Sequence, residues 1–123
     1  YVGETQEQAD EEARNFIWRM GTTTRGPREY MNPVGYRSQA GEQVAARRAV
    51  RPLIQQSFEE LKENYHIVCG TPETVLEKLE YLHTRLGMEH LIFYGQESRM
   101  SHKATMTNIS LFGKEVLPII QKW

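Results

Sequence analysis

The chain has 123 residues, of which 39% are hydrophobic, 25% charged and 10% aromatic, and its 15 basic and 16 acidic side chains leave a formal net charge of -1. One domain's worth of polypeptide with this mixture is neither collagen-like, nor a long coiled coil, nor wholly disordered. Balanced charge without long runs of one sign argues against nucleic acid and anionic membrane as default partners, and no stretch approaches the roughly 18 apolar residues of a membrane span.

The single cysteine, Cys69, has no internal disulfide partner, which points to a cytoplasmic setting. The chain opens on Tyr1-Val2-Gly3-Glu4, with neither a methionine nor a signal peptide. That opening reads as the last residues of a strand, and the expectation is a piece of something larger.

In chain order, Thr5-Gln6-Glu7-Gln8 has the form of a capping box, and Ala9, Ala13, Phe16, Ile17 and Met20 repeat at helical spacing before Gly21. This predicts a helix over 6–20. From Gly21 to about Ala40 the period fails, and turn chemistry such as Arg25-Gly26-Pro27 and Asn32-Pro33 takes over. An irregular stretch of about 20 residues is either functional or a disordered insertion. Tyr30, Tyr36 and Arg37 within it are suited to covering an organic ligand: the tyrosines by stacking, the arginine by pairing with a phosphate or another anion. A solvated loop arginine and locally packed tyrosines are the competing readings.

Residues 41–65 look helical again, with Pro52 marking a kink or a restart and Ile54, Phe58, Leu61 and Tyr65 on one stripe. His66 to Gly70 is short and β-branched. Thr71 then caps a helix with Pro72 at its first position, Val75, Leu79, Leu82 and Leu86 as its inner stripe, and Gly87 as its stop. The continuous apolar run His90-Leu91-Ile92-Phe93-Tyr94 predicts a strand buried on both faces. Ser101 caps a last helix with Thr105, Ile109, Phe112 and Val116 inward, which Pro118 kinks or ends before the apolar tail Ile119, Ile120 and Trp123. A helix-strand-helix rhythm of this kind belongs to the parallel α/β class.

Two further motifs bear on metal and thiol chemistry. Glu63-x-x-His66 and Glu80-x-x-His83 have the spacing used in di-iron bundles, but the first straddles a helix end and Glu80 lies about 100° off the line of Leu79, so no metal site is expected. Cys69 has no cationic neighbour in sequence and reads as a small buried hydrophobe rather than a reactive thiol.

Four stretches stand in a recognisable order: 1–5 running into an acidic, alanine-bearing helix; Gly70-Thr71-Pro72-Glu73-Thr74-Val75; Leu86-Gly87-Met88-Glu89-His90-Leu91-Ile92; and Ser110-Leu111-Phe112-Gly113-Lys114-Glu115-Val116-Leu117-Pro118. Together they resemble the C-terminal part of the luciferase-like flavin-dependent monooxygenases, over residues 1–20 and 66–120. The resemblance implies the C-terminal portion of a (β/α)8 barrel, with 1–20 the end of strand seven and its helix, 21–65 a mobile insertion near flavin and substrate, and 66–123 helix seven, strand eight and the terminal helix. In isolation such a piece should be mainly helical with one buried, parallel-type strand.

The implied activity is that of a monooxygenase or oxidoreductase using reduced flavin mononucleotide (FMN) or a deazaflavin on a small organic substrate, with no cofactor held and no turnover by this chain alone. Residues near cofactor or substrate would be Tyr94, Gly95 and Gln96 after strand eight, Glu4 and Thr5 after strand seven, and Tyr30, Tyr36 and Arg37 in the insertion. No catalytic residue carries over. Exposed apolar strand and helix faces imply homo-oligomers of the isolated chain. The alternative is an independent helical module, without catalysis, that binds a partner protein through its apolar stripes and tail.

Overall fold

The structure, a computed structural model, describes residues 1–15, 35, 38–41, 56–97 and 99–123. Its first helix, α1 (Gln6–Ala13), starts where the capping chemistry places it, with the Thr5 hydroxyl accepting from the Gln8 amide at 3.2 Å. The Gln8 side chain reaches back to the Glu4 amide at 3.0 Å, one residue earlier than in the usual reciprocal box. The expected continuation over 16–20 lies outside the described residues, as do the insertion and the junction at Pro52.

Helix α2 (Phe58–Glu63) is short but closed at its start by a full capping box: Ser57 Oγ accepts from the Glu60 amide, and a Glu60 carboxylate oxygen accepts from the Ser57 amide at 2.6 Å. It ends before Tyr65, which takes a left-handed conformation at φ 57° and stacks on Tyr81 with ring centroids 5.1 Å apart. Tyr65 therefore caps a turn instead of extending the helical stripe. Helix α3 (Pro72–Leu86) matches its signals at both ends, with the Thr71 hydroxyl at the amide of Thr74 and Gly87 left-handed at φ 62°. Val75 and Leu79 are buried, Leu82 is half-buried, and Leu86 is exposed beyond the packed part of the stripe.

The last helical region begins at the expected cap, Ser101, and runs through α4 (His102–Leu111), a π-helical turn (Phe112–Val116) and α5 (Leu117–Ile120). Pro118 has no amide to donate and would crowd the carbonyl four residues back, so a widened turn before it relieves the ladder without ending the helix. The inner face of α4 is Ala104, Thr105 and Asn108, while Ile109 is half exposed. Of the expected stripe, Thr105, Phe112 and Val116 are buried, and only Ile109 gives up its place, to Asn108.

No sheet is present among the described residues, and the expectation of a barrel portion with a buried eighth strand is overturned. Extended backbone pairs only at an isolated parallel bridge between Val2 and Gly70. Three backbone bonds surround it: the Tyr1 nitrogen donates to the Val68 carbonyl at 2.8 Å, the Gly70 amide to Tyr1 O at 3.1 Å, and the Gly3 amide to Gly70 O at 3.0 Å. Residues 90–94 form no strand, and Ile92 is 92% exposed. A β-branched run becomes a strand only when a second backbone receives its hydrogen bonds. Here Phe93 turns inward to stack on Phe112 at 3.9 Å between centroids, and the residues on either side of it face outward.

Two apolar clusters flank the bridge. Tyr1, Ala9, Ala13, Phe58, Leu61, Ile67, Cys69, Met100 and Ala104 form one; Val2, Val75, Leu79, Phe112 and Val116 form the other. Tyr1 and Val2 are neighbours in sequence but point to opposite sides, as extended backbone requires. Asn108, fully buried, joins the pieces: its Oδ1 accepts from the Val2 amide and its Nδ2 donates to Gly95 O, both at 2.7 Å. Among the described residues, no helix is long and apolar enough to cross a membrane.

Candidate functional site

The bridge brings two helix starts together. Gly3 and Gly70 both give way to a capping threonine, so Thr5 with α1 and Thr71 with α3 leave the paired backbone at the same end. The approach is close enough to demand glycine: a Cβ on Gly70 would come within 2.8 Å of Thr74 and of the Gln6 amide oxygen, and one on Gly3 within 3.0 Å of Ala9. The glycines that carry part of the resemblance are therefore accounted for by helix packing. Glu73, exposed in the first turn of α3, is held below the usual carboxylate range by its own backbone amide and the Thr71 hydroxyl.

Beneath these helix starts lies a polar chain. Asp10 accepts from Gln6 Nε2 and Lys62 Nζ, each at 2.7 Å, and from the Cys69 thiol at 3.4 Å. Burial alone would raise the Asp10 pKa, but the hydrogen bonds from Lys62, Gln6 and Cys69 outweigh it and hold the carboxyl below its ordinary value. Burial, with Asp10 beside it, pushes the Cys69 thiol up to about 11, so it is a neutral donor rather than a nucleophile. Lys78 Nζ donates to the Cys69 carbonyl at 3.1 Å. The amine of Tyr1 is lowered to about 6, chiefly by desolvation; the Tyr1 hydroxyl, raised to about 12 by burial, bonds to Ala104 O at 3.2 Å. This constellation ties α1, α2, α3 and the paired backbone together.

An apolar concavity lies beside the paired backbone. An open apolar groove of about 330 Å³ is lined by Tyr1, Ile67 and Val68 of the paired region, by Leu91, Ile92 and Phe93, and by buried Val75, Leu79 and Phe112. Of the residues expected near cofactor or substrate, Tyr94 lines this groove and is half exposed. Gln96 is exposed and outside the lining. Gly95 is tied to Asn108, and Glu4 and Thr5 are exposed at the start of α1. Tyr30, Tyr36 and Arg37 lie outside the described residues.

The groove offers tyrosine rings and aliphatic walls to a planar ligand, but among the described residues no lysine or arginine lines it to hold a phosphate. The described residues thus fit part of a flavin ring and not the whole cofactor. Among the described residues no group of three His, Cys, Asp or Glu side chains is arranged as metal ligands. His83 instead packs on Trp123 at 5.4 Å, its Nδ1 donating to the Met88 carbonyl at 2.8 Å, and Glu80 is exposed.

Sequence reading missed Asn108 and the Asp10–Lys62–Cys69 chain. An asparagine in the middle of an apolar helix face was a usable signal for the first. The second joins positions 52 and 59 residues apart, for which no local pattern exists. No protein-family model matches the chain, and no curated protein or solved structure is similar enough to count as a match.

Proposed function

We propose that this chain is the C-terminal part of a flavin-dependent oxidoreductase, of the luciferase-like monooxygenase kind, acting on a small organic substrate in the cytoplasm. The observation that supports the reading best is the parallel rung at Val2 and Gly70, which sets two of the four resembling stretches side by side with both helix starts at one end. The first and second stretches are far apart in sequence, and their adjacency is what two successive pieces of one site require. The exposed groove beside them supports a chain that is inactive alone and completed by further polypeptide, which would supply the phosphate-holding cations the groove lacks.

The test compares this chain with the product of its whole encoding reading frame. The larger product is expected to bind reduced FMN or a deazaflavin at micromolar levels in calorimetry and to consume the reduced cofactor with an organic substrate, whereas residues 1–123 do neither. Absence of flavin and deazaflavin binding by the larger product would overturn the proposal. The partner-binding module would take its place if that same product instead formed a stoichiometric complex with another protein through Ile119, Ile120 and Trp123.

A further inference from the structure

We draw no further inference here: the strongest candidate, the open apolar groove between the paired backbone and residues 91–94, carries nothing beyond the site already described, because nothing in the structure shows what covers it.

Discussion

The two sides of the Val2–Gly70 bridge are equally rich in apolar residues and differ in how they are finished. On the α1–α2 side, Ala9, Ala13, Leu61 and Cys69 are fully buried, the Asp10–Lys62 pair at 2.7 Å closes the gap between the helices, and Arg14 lies 4.2 Å over the Phe58 ring. On the side of 88–94, Leu91, Ile92 and Tyr94 stand in solvent around an open groove. Apolar sequence is a demand for burial; whether the demand is met depends on a second surface.

The largest contrast is expected from truncating one residue in each region. Leu61→Ala, which empties a fully buried site, should lower stability by about 3 kcal/mol in urea unfolding. Ile92→Ala should change it by less than about 0.5 kcal/mol. Comparable losses at the two sites would mean that 88–94 is packed in solution, and the contrast between the regions would disappear.

Asn108 tests what holds the open side in place. Asn108→Ala strands the Val2 amide and the Gly95 carbonyl and should cost about 3 kcal/mol, with faster exchange of the Val2 amide. Exchange unchanged at Val2 would show that the two hydrogen bonds are not the anchor.

The Tyr1 amine sharpens the boundary between the regions. Its folded pKa, about 6, lies below the ordinary 8.0, so the unfolded chain binds more protons between those values. Stability of the chain with a free amine should therefore rise as pH increases from about 6 to about 8, by up to roughly 3 kcal/mol, and carry the full penalty below that window. A flat profile across it would place the amine in water.

The smallest effect belongs to the caps. Ser101→Ala removes the acceptor for the Ala104 amide at 3.1 Å and should cost about 1 kcal/mol, seen as a lower Tm, with Ser101→Asp restoring most of it. The open face itself predicts that residues 1–123 self-associate in sedimentation velocity, and that Ile92→Glu shifts the distribution toward monomer.

These contrasts explain which features could be read from the residues. Thr5, Thr71, Ser101 and Gly87 were legible because a cap is satisfied within a few residues of itself, whatever the rest of the chain does. The run 90–94 was read as a buried strand because its composition is that of one, yet composition carries no partner. Tyr65 followed the apolar period but was diverted by a left-handed turn onto Tyr81. At the candidate site only Tyr94 among the expected residues reaches the groove, and nothing near it in sequence marks Ile67 or Phe112 as its neighbours.

What the sequence by itself determined, then, is where helices start and stop and which faces of them are apolar, because those interactions close within one or two turns. The tertiary structure alone decided that Tyr1 to Gly3 runs beside Val68 to Gly70, that Asn108 serves both Val2 and Gly95, and that the most strand-like run, 90–94, forms no strand. Hydrogen bonds between extended segments, and the filling of a buried polar position, depend on groups brought together across 60 to 100 residues, and no local pattern encodes which groups those will be.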